Sequence, residues 1–284
     1  MAVNHYENFP VASWLCPPAV RPAVVAIYRF ARTADDIADE GEASSETRLA
    51  ALGAYRADLL AIAGGRAAST RWAEVFGPLR TALVNFDLPV PMLADLLSAF
   101  EQDVRKSRYA DRAELLDYCS RSANPVGRLM LHLYGVNDAD SRRRSDAICT
   151  ALQLTNFWQD LGVDMRRGRH YVPEADCAQH DVPTSDHWGC TDNEGSRSVV
   201  SELVRWTRAR FTLGMPLVHR VEGRAGWELR LVVQGGLRIL EKVDRLGGAT
   251  IATRPVLRPI DALCMTWRSL WMSNPAVQPA AELP

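Results

Sequence analysis

Apolar residues recur every three or four positions through most of this chain, and nowhere do they alternate convincingly with period two. Residues 1–18 read as an irregular entry with a short helix, closed by Pro17-Pro18. Pro22 then fits the first turn of a helix running through Ala23 to Asp39, with Gly41 placed to stop it. The same periodicity predicts helices over 46–63, 69–86, 91–107, 111–134, 141–164, 197–221 and 226–246. Between 173 and 196 the composition shifts to Pro, Asp, His, Cys, Ser and Gly, which predicts a loop with one short helix. The pattern therefore implies an all-α chain of on the order of ten helices in one bundle-like domain, residues 1–272. The stretch 273–284, ending PAVQPAAELP, is expected to be a disordered tail.

One helix carries polar groups where its neighbours are apolar. Gln153, Asn156, Asp160 and Asp164 fall within a narrow wedge at about 100° per residue, flanked by Leu152, Leu154 and Leu161. Such a face turns inward, and inward acids are costly unless paired or holding cations. A second helix repeats the theme: Tyr28, Arg32, Asp35 and Asp39 share a face, with Asp36 about 80° away in a supporting place. Alone, Arg32 would be read as an exposed partner of Asp36. Two Asp-x-x-x-Asp helices about 125 residues apart instead suggest a cavity clamped by two carboxylate pairs. That geometry suits a diphosphate held through Mg²⁺ ions, which favour oxygen ligands and shells completed by phosphate.

Composition narrows the partners. Lys+Arg 33 against Asp+Glu 34 argues against an extended nucleic-acid surface. Six scattered cysteines in a chain this long suggest reduced thiols and a cytoplasmic setting. No stretch approaches the ~20 apolar residues that span a bilayer, and the start lacks a signal-peptide pattern. No Gly-x-Gly-x-x-Gly follows a strand, so no nicotinamide is expected. Nothing in the spacing sets an oligomeric state.

With these motifs in hand, the chain resembles the squalene/phytoene synthase family from about Asn8 to about Arg254. The matching motifs are Tyr28-x6-Asp35-x3-Asp39, Tyr118-Cys119 followed by Val126-Gly127, and Gln153-x2-Asn156-x3-Asp160-x3-Asp164-x4-Gly168-Arg169-x-Tyr171. The resemblance implies an isoprenoid synthase bundle around a deep central cavity, using an isoprenoid diphosphate substrate. It implies Mg²⁺-diphosphate binding at Asp35, Asp39, Asp160 and Asp164, with Gln153 and Asn156 lining the site. Arg32 matches a basic residue near the diphosphate, and Tyr171 one by the flap after the second motif. ENFPVAS, ARTADDIADEG, SANPVGRL and TNFWQD look like one bacterial subgroup, the hydroxysqualene synthases of hopanoid-type squalene biosynthesis, which act on presqualene diphosphate. The alternatives are head-to-head condensation of two prenyl diphosphates and, in a different class, a cyclising terpene synthase. A lipid-soluble product would also bring the protein into peripheral contact with a membrane.

Several features remain to be placed. Gln159 stands where the family usually has Arg, and is expected at the edge of the acidic face, favouring one diphosphate over two. Pro125 should kink its helix. Phe9, Tyr28, Phe30, Tyr118 and Phe157 could face the cavity and stabilise carbocations, although aromatics at helical spacing are more often core. Arg166, Arg167 and Arg169 could close over phosphate oxygens. Cys177, His180, His187 and Cys190 have metal-ligand types, but the spacing is short for a zinc finger and the loop is polar.

Overall fold

A computed structural model describes residues 15–182 and 191–272. The expected tail at 273–284, Phe9, His187 and Cys190 lie outside that range. Twelve α-helices are present among the described residues, with no strand; a lone backbone bridge joins Arg108 to His170.

The N-terminal half is built from α1 (Arg21–Asp39), α2 (Ser45–Ala63), α3 (Ala73–Phe86) and α4 (Val90–Arg105). Pro22 sits in the first turn of α1, and past its end Gly41 adopts φ +79°, the left-handed conformation glycine reaches without strain. Ser44 caps α2 by accepting from the Thr47 amide at 3.2 Å. Phe30, Tyr55 and Phe76 pack as one aromatic knot, with Tyr55 donating to the Phe30 carbonyl at 3.1 Å. Phe30 is thus core on the far side of α1, not a cavity residue.

The second half contains α5 (Arg112–Ser122), α6 (Asn124–Leu133), α7 (Ala139–Gln159), α8 (Leu161–Arg166), α9 (Glu174–Gln179), α10 (Glu194–Gly214), α11 (Gly223–Arg245) and α12 (Pro259–Leu270). A short 3₁₀ turn, Met215–His219, follows α10. Helix α7 is the axis of this half, packed along α10, α6 and α11. Trp158 is fully buried and donates its indole N–H to Thr207 at 2.8 Å, tying α7 to α10.

Three expectations change. The helix expected over 111–134 breaks completely at Ala123, because Pro125 cannot donate and the chain restarts with it in the first turn. The helix expected over 141–164 breaks at Asp160, which ends α7 and precedes α8. Helix α12 was not anticipated, although Pro259 in its first turn and the Asp261 cap on the Arg258 amide (2.6 Å) mark its start.

Candidate functional site

The polar stripe on α7 is defined by contrast. From Thr150 to Leu161 every residue except Gln153, Asn156 and Asp160 is buried, and those three are half-exposed along one face. On α1, Tyr28, Arg32, Asp35 and Asp39 are likewise half-buried while Ala23, Ala26, Ile27, Phe30, Ala34 and Ala38 are core. The two stripes feel each other: Asp39 raises Asp164, and Arg169 lowers both Asp35 and Asp164.

Burial, then the neighbouring Asp39, pushes Asp35 up to about 6. Burial, then Asp160, pushes Asp164 up to about 7. Like charges in a poorly solvated cleft favour the neutral acid, and a cation reverses that preference. Among the described residues, no three His, Cys, Asp or Glu side chains converge as a preformed metal cluster. An oxygen-only donor set of separated carboxylate pairs nevertheless fits Mg²⁺, which keeps waters and takes only one or two carboxylates alongside phosphate.

Each pair is closed by an arginine from far along the chain. Arg169 grips Asp39 with both guanidinium nitrogens, its Nη1 lying 2.9 Å from Oδ2. Arg254 grips Asp160 through Nε and, at 3.2 Å, through Nη2. Arg32 pairs with Asp35 at 2.9 Å, Asp36 at 2.7 Å and Glu40 at 3.0 Å, so its local partnership is real but includes the motif. Arg166 and Arg167 point to solvent.

Below the acids lies an aromatic layer. Phe157 and Tyr171 stack at 3.8 Å with rings 9° from parallel, and Tyr118 and Tyr109 pack against Tyr171. Tyr171 is delivered by backbone pairing, since the His170 amide donates to the Ser107 carbonyl at 2.7 Å. Burial holds the Tyr118 and Tyr171 hydroxyls well above their ordinary range, so both stay protonated.

Two site residues escaped the sequence reading. Asp103 of α4 accepts from the Tyr118 hydroxyl at 2.8 Å, and burial pushes it up to about 7, with Arg169 lowering it and Asp39 and Asp35 raising it. Its signal was an acid in register with Leu96 and Ala99, on the buried face of α4. Arg254 lies in an irregular segment where no periodicity could place it.

Gln159 is corrected. It is only 2% exposed and its amide donates to the Pro255 carbonyl at 2.8 Å, across the turn of α7 that faces the core. Gln159 is the last residue of α7, about 120° round the helix from Gln153, and that side is covered by the 249–258 segment rather than open to the acids. Gly162 completes this seam: a Cβ there would meet the Ile251 carbonyl oxygen at 1.9 Å. Asp192 accepts from the Ile251 and Ala252 amides at 3.2 and 3.0 Å, pinning the segment that carries Arg254.

Of the candidate zinc loop only Cys177 and His180 are among the described residues. Cys177 is core, and His180 meets Glu202 at 2.9 Å. A cavity of about 610 Å³ lies near His180, Asp192, Arg197 and Arg205, but none of the four motif aspartates lines it.

The squalene/phytoene synthase family profile matches residues 2–261. A hydroxysqualene synthase from Rhodopseudomonas palustris is 44% identical over 168 residues, covering 59% of this chain and 55% of that protein. The chain thus spans little more than half the length of that relative. A presqualene diphosphate synthase from the same organism is 32% identical over 215 residues, 75% of each chain. Among solved structures, squalene synthase HpnC from Alicyclobacillus acidocaldarius superposes with a TM-score of 0.78 at 37% identity, covering 86% of this chain and 90% of that one.

Proposed function

The chain belongs to the squalene/phytoene synthase family, whose members are isoprenoid diphosphate-using enzymes, and from that premise we propose that it ionises presqualene diphosphate and releases hydroxysqualene. The observation that carries the reading is the pair of mutually coupled Asp-x-x-x-Asp motifs on α1 and α7–α8. Asp35, Asp39, Asp160 and Asp164, with Asn156, would hold Mg²⁺, which when bound neutralises charge on a departing diphosphate. Arg169 and Arg254 pair the carboxylates and stand ready to turn onto phosphate oxygens, where guanidinium donors bind bidentately. Arg32 and Gln153 flank the same stripes.

The reaction balances without a reductant. The carbon–oxygen bond breaks with its electron pair leaving on diphosphate, and the cyclopropylcarbinyl cation rearranges. Water then forms the new carbon–oxygen bond and loses a proton. No nicotinamide takes part. Tyr118, Phe157 and Tyr171 are packed ring on ring and at most 7% exposed, so they form a rigid aromatic floor beneath the acids.

Similarity to a presqualene diphosphate synthase over a longer stretch supports a second reading, head-to-head condensation of two prenyl diphosphates. The test is incubation with Mg²⁺ in ¹⁸O-water and either presqualene diphosphate or farnesyl diphosphate. Labelled hydroxysqualene from the first substrate is expected. Turnover of farnesyl diphosphate alone supports the second reading, and squalene formed only with reduced nicotinamide overturns the first.

A further inference from the structure

The last helix presents a surface that the catalytic reading does not use. Helix α12 rests on α11 through Asp261 and Ser269, both 1% exposed, and Asp261 is paired with Arg238 at 2.7 Å and Lys242 at 2.8 Å. Its opposite side carries Ile260, Leu263, Trp267, Leu270 and Trp271, exposed by 66, 69, 63, 53 and 70%. These five fall within about 100° of arc at helical spacing, a continuous apolar stripe rather than scattered residues. Proteins that stay in bulk water rarely leave such a run uncovered. Trp267 and Trp271 pack at 5.7 Å between ring centroids, and Trp227 (40% exposed) joins their end of the helix. Arg230 makes that join, lying over the Trp227 ring and donating to the Ser269 carbonyl at 3.4 Å.

Charge decides among occupants. From Gly223 to Met272 there are eight basic and four acidic side chains, in a protein whose total is −1. The one acid of α12, Asp261, is buried and neutralised, so no carboxylate lies on the outward side of this helix. Arg258, exposed, stands at the N-terminal end of the stripe, while Arg268 is paired with Glu241 of α11. An apolar stripe with two tryptophans, arginine at its start and its own acid withdrawn is a composition that settles at the headgroup level of an anionic bilayer.

We propose that the outward face of α12 docks this protein peripherally on an anionic lipid bilayer, with Leu263 and Trp267 inserted and Arg258 at the phosphates. Arg254, which holds Asp160, lies four residues before Arg258, so the segment that reaches the acidic site leads directly into α12. The proposal rests on exposure and charge and holds whichever isoprenoid diphosphate the cleft takes.

The test is co-sedimentation of the full chain with phosphatidylglycerol/phosphatidylcholine vesicles and with phosphatidylcholine vesicles, read alongside tryptophan emission. Binding to the anionic vesicles, a blue shift, and weakening by salt are expected. The double variant Leu263→Glu/Trp267→Glu should bind at least ~10-fold more weakly while melting as wild type does. Val84→Glu, a change at a 76% exposed residue on α3, should bind as wild type. Wild-type protein remaining in the supernatant, or equal binding by the double variant, overturns the proposal. So does a dimer in sedimentation velocity that the double variant dissolves while vesicles capture neither protein. Binding that appears only after residues 273–284 are deleted assigns the face to that segment and likewise overturns it.

Discussion

The two aspartate motifs have the same spacing and reach the cleft by different means. Asp35 and Asp39 lie on an unbroken 19-residue helix, and their geometry follows from α1 alone. Asp160 and Asp164 straddle a break, where Asp160 ends α7 and its carbonyl accepts from the Val163 and Asp164 amides at 2.8 and 2.9 Å. That break is held by contacts from more than 90 residues away: Gln159 to Pro255, and Arg254 to Asp160. The spacing of the first motif is therefore set by its own helix, with Arg169 added to Asp39 from 130 residues away, whereas the backbone of the second is itself assembled by distant contacts. Changes in the 249–258 segment should disturb one and spare the other.

The largest expected effect treats the motifs alike. Asp35→Asn, Asp39→Asn, Asp160→Asn and Asp164→Asn each keep shape and remove charge, so each should lower kcat at least ~10²-fold without lowering the melting temperature. Turnover near wild type in any two of them, at saturating Mg²⁺, would mean that the motifs do not work as a pair.

Next in size is Gly162→Ala, which separates the motifs. Its Cβ would run into backbone at Ile251, so relief requires moving the segment that carries Arg254. A loss of about 1–3 kcal/mol in stability is expected, with a fall in kcat. Gly53→Ala, in open space within α2, should instead stabilise by about 0.4–1 kcal/mol. Denaturant melts on both variants check this. Equal behaviour of the two would show that the seam beside the second motif is slack.

This division also marks what the sequence could reveal. Both stripes were legible because helical periodicity places Asp35 with Asp39, and Gln153 with Asn156 and Asp160, on one face. The all-α bundle was legible for the same reason, as was the glycine stop at Gly41. Arg254 was not, because it occupies a segment without periodicity and acts across 94 residues. Gln159 points where periodicity puts it, but that side of α7 is covered by the 249–258 segment, which has no periodicity to announce it. Asp103 showed only as an acid at a buried register, a weak signal until Tyr118 is seen to donate to it.

A smaller effect concerns pH. Asp35 at about 6, and Asp103 and Asp164 at about 7, are raised above ordinary carboxylates, chiefly by burial. The folded state thus binds more protons than the unfolded state between about pH 4 and 7. These groups favour folding fully below the unfolded carboxylate range, and that contribution is lost as pH rises through 6 to 7. The metal-free protein should therefore lose melting temperature over that interval, and Mg²⁺ with diphosphate should restore more of it at pH 8 than at pH 5.5. Protection that is equal at both values would place the ion away from these acids.

The smallest expected effect returns to Gln159. Were it beside the diphosphate, changing it would alter the preference between presqualene diphosphate and farnesyl diphosphate. Buried against Pro255, it acts by holding the segment that brings Arg254 to Asp160. Gln159→Leu removes the neutral hydrogen bond to Pro255 and should cost at least about 1 kcal/mol in stability. It should lower kcat a few-fold and leave the ratio of kcat/KM on the two substrates unchanged. Arg254→Gln should lower kcat further, and the two changes together should fall short of their summed effects, since both loosen one contact. Strict additivity would mean that Gln159 does not work through Arg254. A shifted substrate ratio in Gln159→Leu would return it to the diphosphate site.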